Sequence, residues 1–165
     1  MARKNYGKMK FQKILNEKEK SKIVDKLNEQ FGIIEVLGKI IMRGKERLFL
    51  YSGNLDEEEI EKLDSLVFIE RAGIYFAKIE EPNEDIRLSI EGTQILKEQI
   101  NKNIFEIPEE LVEDWMKGHE LNVQSGMKGF VVMKFKDEFL GTGKASENKI
   151  GNFIPKNRRL REKTN

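Results

Sequence analysis

One cluster in the chain has the look of a phosphate cradle: Gly141-Thr142-Gly143-Lys144, two glycines and a lysine in four positions. Backbone N–H groups at such glycines can surround an anion, and a lysine can hold it. A mononucleotide loop, however, needs Gly, four residues, then Gly-Lys-Ser/Thr, so that the hydroxyl reaches the nucleotide's magnesium ion. Glu138 stands where the first glycine belongs and Ala145 where the hydroxyl belongs. A dinucleotide fingerprint fails as well, because its third glycine would be Ser146 and no helical pattern follows. The two glycines are therefore expected in a strand, where glycine marks a bulge or a close backbone approach.

Few other groups can do chemistry. The chain has no cysteine, which removes disulfides, thiolate zinc sites and thiol nucleophiles, and its single histidine, His119, has no partner cluster in the sequence. The acidic run 56–61 could be a cation site, but acids at a helix start more simply complement the helix dipole. Trp115 falls on an apolar helical stripe with Leu111 and Val112, the pattern of a core residue rather than of a base-stacking platform. The tail gathers Lys156, Arg158, Arg159 and Arg161, with Lys144 and Lys149 on the strands before it. Guanidinium groups hold phosphates bidentately or stack on unpaired bases, and a solvated terminus is the alternative reading.

The net charge of +1 conceals a pattern along the 165 residues. Residues 1–45 hold 12 Lys and Arg against 5 Asp and Glu, residues 46–122 hold 8 against 20, and residues 123–165 hold 10 against 4. Basic ends around an acidic middle suggest a polyanion surface built from the termini, and nucleic acid is the obvious polyanion. No apolar run approaches the roughly 18 residues of a membrane span, so no membrane partner and a cytoplasmic location are expected.

Several elements must position these residues. Residues 1–12 form a basic stretch without periodicity, expected to be a flexible arm. Asn16, with Glu19 three positions on, predicts a capped helix carrying Ile23, Val24, Leu27 and Phe31 inward and closed by Gly32. Residues 33–42 and 46–51 are expected strands joined by a turn at Arg43-Gly44-Lys45. A helix entered through Asn54-Leu55-Asp56 should bury Ile60 and Leu63, followed by strands at 66–70 and 73–79. Residues 86–90 suggest a strand and 91–100 a helix, before a joint at Asn101-Lys102-Asn103. Beyond it come a strand at 104–107, a short helix opened by Pro108 and stopped by Gly118, and strands at 129–136, 138–145 and 149–154. Short, close-set strands behind one helix suggest a small β-barrel.

The run "EELVEDWMKGHELNVQSGMKGFVVMKFKDEFLGTGKA" resembles a PUA domain, a small RNA-binding pseudo-barrel. A short helix ending at Gly118, a further glycine at Gly126, an apolar strand at 130–135 and the strand Phe139-Leu140-Gly141-Thr142-Gly143-Lys144 follow that pattern. "NKIGNFIPKNRRLRE" is similar to the end of the RNA-binding domain of some Sun-family rRNA cytosine-5 methyltransferases. The placement of "IRLSIEGTQIL" before such a domain resembles the Nip-type ribosome-biogenesis factors. The resemblance implies an α+β chain: a small N-terminal domain with a mixed sheet and helices at 13–101, then a PUA-like barrel at 102–165.

It also implies a non-catalytic RNA-binding protein for rRNA, pre-rRNA or a tRNA-like structured RNA, with no cofactor and no metal. Sun-family enzymes attack the base with a cysteine thiolate, which this chain lacks. The expected RNA surface is Lys117, Lys128, Lys144, Lys149, Lys156, Arg158, Arg159 and Arg161. Gly118, Gly126, Gly141 and Gly143 would let the backbone approach RNA or pack tightly. The acidic N-terminal half is expected to be a poor RNA surface that docks a protein, such as a ribosome-assembly factor or a separate RNA methyltransferase. An RNA-modifying enzyme with a methyltransferase-like site in that half is the alternative.

Overall fold

A computed structural model describes residues 12–162. The basic arm lies outside the described residues, save that Gln12 opens the first strand. Two sheets organise the rest. The first is antiparallel throughout, β1 (Gln12–Ile14), β2 (Lys39–Arg43), β3 (Arg47–Tyr51), β4 (Ile74–Glu80) and β5 (Asp85–Leu88), lying side by side in chain order. The expected mixed sheet is instead the second one: β6 (Ile104–Glu106) runs parallel to β7 (Gly129–Phe135), which pairs antiparallel with β8 (Glu138–Ala145), and β8 with β9 (Ile150–Gly151).

α1 (Glu17–Phe31) forms as its caps dictate. The Asn16 side chain accepts the Glu19 N–H, the Glu19 carboxylate accepts the Asn16 N–H, and Gly32 ends the helix in the left-handed region at φ 80°. Its buried Ile23, Leu27 and Phe31 press on Ile40, Leu48, Ile86 and Leu88 of the sheet, and Phe130, Val132 and Phe139 of the second sheet join the same core. The linking residues are tied to the end of α1: Asn101 N–H donates to the Phe31 carbonyl at 3.0 Å and Asn103 Nδ2 to the Gln30 carbonyl at 2.6 Å. α2 (Glu57–Leu66), capped by Asp56, covers part of the sheet's other face through Ile60, which packs with Ile41 and Phe49.

Several elements end earlier than their composition suggests, each because a polar side chain takes the backbone. Residues 33–38 form no strand, since Gln99 Oε1 accepts the Ile34 and Glu35 N–H groups at 2.9 and 3.0 Å and Gln99 Nε2 donates to the Glu35 carbonyl. Ser89 ends β5 by capping α3 (Ile90–Ile95), and of the expected helix over 91–100 only the first half forms. Asn152 ends β9 by accepting the Ile154 N–H at 2.8 Å while donating to the Trp115 and His119 carbonyls. The expected strand at 66–70 is absent: α2 runs to Leu66, and Asp64 then accepts the Ile69 N–H. Leu63 is not carried inward but stands 41% exposed.

Candidate nucleic-acid interface

α4 (Glu109–Met116) and β8 place the glycines. A Cβ on Gly143 would lie 2.4 Å from Ile150 Cγ2 and 3.1 Å from the Trp115 ring, so this glycine lets β8 and β9 close over the tryptophan. Gly141, at φ 82°, faces Ile90, and its N–H donates to Thr93 Oγ1 at 3.2 Å, which joins β8 to α3. Both glycines are buried, so the phosphate-loop cluster is a packing device. At Gly118 the place of a Cβ is taken by the Arg159 guanidinium, 2.2 Å away at Nε. Gly126 alone of the four faces open space.

The eight expected cations divide by what already holds them. Lys117 pairs with Glu113 at 3.0 Å, and that carboxylate holds its ammonium above the ordinary lysine range. Lys149 pairs with Glu120 at 2.8 Å, and Arg158 with Glu91 on α3. Arg159 donates Nε to the Ile154 carbonyl at 2.8 Å and is half-buried against Gly118, a structural arginine. Lys128, Lys156 and Arg161 are exposed, with no ion-pair partner among the described residues. Lys144 is exposed too, its ammonium 5.5 Å from the centre of the Phe130 ring. His119 is half-exposed in the loop after α4, with Asp114 3.5 Å from Nδ1 and Glu162 3.5 Å from Nε2. Among the described residues no cluster of three or more His, Cys, Asp or Glu could hold a metal ion.

Sequence spacing gave no sign of an aromatic stack that starts at Lys144. Phe130 packs on Phe153 at 6.0 Å between centroids, and the Arg87 guanidinium lies 4.4 Å over the Phe153 ring, which is 36% exposed. The stack joins β8 to β5, residues far apart in the chain that only the packing of the two sheets brings together. Arg87 is held from its other side by Glu80 at 2.7 Å, and Lys78 lies 3.4 Å from the same carboxylate.

Burial alone would push the Glu80 carboxyl up, but the Arg87 and Lys78 cations outweigh it and hold it below the ordinary carboxylate range. As the pH falls, the unfolded chain takes up this proton before the folded chain does. The stability that Glu80 contributes is thus present above the unfolded value and lost as the pH falls through the folded one. Glu80→Gln is expected to flatten the loss of stability between about pH 5 and pH 3. Denaturant melts across that range check it, and a variant with the wild-type acid profile would rule the assignment out.

Residues 102–160 match the family model described as the methyltransferase RsmF PUA domain. The C-terminal segment is therefore similar to a PUA domain, of a family found in Sun-family rRNA methyltransferases, and such a domain implies RNA as a partner. A search of curated proteins gives no match. Among the described residues no helix is long and apolar enough to cross a membrane.

Proposed function

We propose that the chain is a non-catalytic, cytoplasmic RNA-binding protein that recognises structured RNA, ribosomal RNA or its precursor, in ribosome biogenesis or rRNA modification. The match of residues 102–160 to a PUA domain of rRNA methyltransferases carries this reading. It takes residues 102–165 as the RNA-binding domain and 13–101 as a partner-docking domain. Exposed Lys128, Lys144, Lys156 and Arg161 supply phosphate contacts, and Phe153 a base-stacking edge. The absence of cysteine in the chain supports a role beside an enzyme rather than as a thiolate methyltransferase. A ribosome-assembly factor or separate RNA methyltransferase docks on α2, whose first turn carries Glu57, Glu58 and Glu59 and whose end leaves Phe68 81% exposed.

Anisotropy titrations of the full chain against labelled ribosomal RNA fragments test this over about 50–300 mM salt. A log–log salt slope of about −3 or steeper is expected, at 0.7 to 0.9 per phosphate contact. Salt-independent or absent binding would refute RNA recognition. Calorimetry with S-adenosylmethionine is expected to show no heat of binding, and stoichiometric uptake would overturn the non-catalytic assignment.

A further inference from the structure

The sheet register sets four cations in one row. Arg43 stands opposite Arg47, Arg47 opposite Lys78, and Lys78 opposite Arg87, across β2, β3, β4 and β5. With strands about 4.8 Å apart, the row spans about 14 Å. Like charges directly opposite on neighbouring strands destabilise a sheet, so three such pairs in succession are a cost to folding. The internal compensation is partial and uneven. Glu46 and Glu80 each reach Lys78 at 3.4 Å and Glu80 holds Arg87, whereas exposed Arg47 has no ion-pair partner among the described residues.

The row lies on the sheet face turned away from α1, beside the cluster in which Ile60 of α2 packs with Ile41 and Phe49, bordered by Ile14, Tyr51, Ala72 and Tyr75. It floors a cleft of about 460 Å³ that Arg71 also lines, five cations against the carboxylates of Glu46 and Glu70, with Tyr75 and Pro155 at its border. A second cleft of about 430 Å³ shares Arg71, Tyr75 and Pro155 and continues to Asn157 and Arg158 of the PUA segment. A larger cleft of about 540 Å³ beside α1 mixes Lys22 and Lys26 with Asp25 and Glu29, so it offers no single sign of charge.

We propose that this groove is a second RNA contact, binding the sugar–phosphate backbone of a strand that leaves the PUA domain past Phe153 and crosses the cation row. The inference rests on the RNA-binding reading above and extends it to the half of the chain whose net charge is acidic. A row of evenly spaced cations fits a partner with evenly spaced anions, as a nucleic-acid backbone has. The Lys144–Phe130–Phe153–Arg87 stack makes the row continuous with the PUA surface, and its exposed aromatic edge suits an unpaired base.

Full-length variants titrated by anisotropy against labelled ribosomal RNA fragments and a single-stranded oligouridine test it. Arg47→Gln with Arg71→Gln, both exposed, should flatten the salt slope by about 1.4 to 1.8 and weaken binding roughly ten-fold near 150 mM salt, with an unchanged melt. Lys18→Gln with Lys22→Gln, on exposed positions of α1, removes equal charge from the opposite side and should leave the slope unchanged. Glu80→Gln should tighten binding and steepen the slope by freeing Arg87 and leaving Lys78 with Glu46 alone. Equal losses from both double variants would reduce the effect to net charge and overturn the groove. An unchanged slope for Arg47→Gln with Arg71→Gln, while Lys144→Gln still weakens binding, would also overturn it, leaving the row to an acidic protein and the PUA reading intact. No RNA binding by the wild-type chain would overturn both readings.

Discussion

Trp115→Ala is expected to cost about 3–5 kcal/mol of folding stability, a large part of the roughly 5–15 kcal/mol that holds a typical domain together. The side chain is fully buried, among Ile107, Leu121, Val131, Met133 and Ile150. Its indole N–H donates to the Leu140 carbonyl at 3.0 Å, which fastens α4 to β8. Alanine would leave a cavity under the strand that Gly143 allows to close, together with a carbonyl that has lost its donor. Trp115→Phe keeps much of the volume and loses the hydrogen bond, so an intermediate loss of about 1–3 kcal/mol is expected. Denaturant melts followed by circular dichroism check both. A loss below about 1 kcal/mol for alanine would mean that the ring is not core, and would return it to the candidates for base stacking. The expected result hands that role to Phe153, the aromatic whose edge meets solvent beside Arg87.

How much of this was legible depended on whether the controlling contact was local. The Asn16–Glu19 box and Gly32 determine α1 from residues within one turn of each end, and the sequence shows them outright. The β8 glycines were legible as a strand feature, because the failed spacing of Glu138 and Ala145 excluded a nucleotide loop. Gln99, more than 60 positions from Ile34 and Glu35, ends an apparently ideal β-branched run, and no pattern within that run foretells it. The summed charge of a stretch hides where its charges go for a related reason. Residues 46–122 are strongly acidic in sum, yet the same stretch holds Arg47, Arg71, Lys78 and Arg87. Folding sorts these charges by surface: Glu57, Glu58 and Glu59 go to the first turn of α2, and these four cations line one cleft. Alternation in Ile86-Arg87-Leu88 and Ala77-Lys78-Ile79 does show each cation pointing away from the core. Their alignment into a row depends on strand register, including the irregularity between Leu48 and Phe49, which is a property of the assembled sheet.

Replacing Lys128, Lys144, Lys156 and Arg161 with glutamine together is expected to flatten the salt slope of RNA binding by about 2.8 to 3.6, at 0.7 to 0.9 per lost phosphate contact. These four are the exposed cations of the expected RNA surface that no ion pair occupies among the described residues, so each can meet phosphate without first breaking an internal ion pair. The obvious alternative, removing the tail arginines Arg158, Arg159 and Arg161 as a block, would confuse two effects. Arg159 holds the Ile154 carbonyl beneath Gly118 and Arg158 reaches Glu91 on α3, so their loss loosens the tail as well as its charge. Arg159→Gln alone should therefore lower thermal stability while moving the slope by less than a full contact, whereas the four-residue variant should melt as the wild type does. If the four-residue variant kept the wild-type slope, the phosphate contacts would lie elsewhere. If Arg159→Gln flattened the slope without a change in the melt, its guanidinium would be meeting RNA rather than bracing the fold.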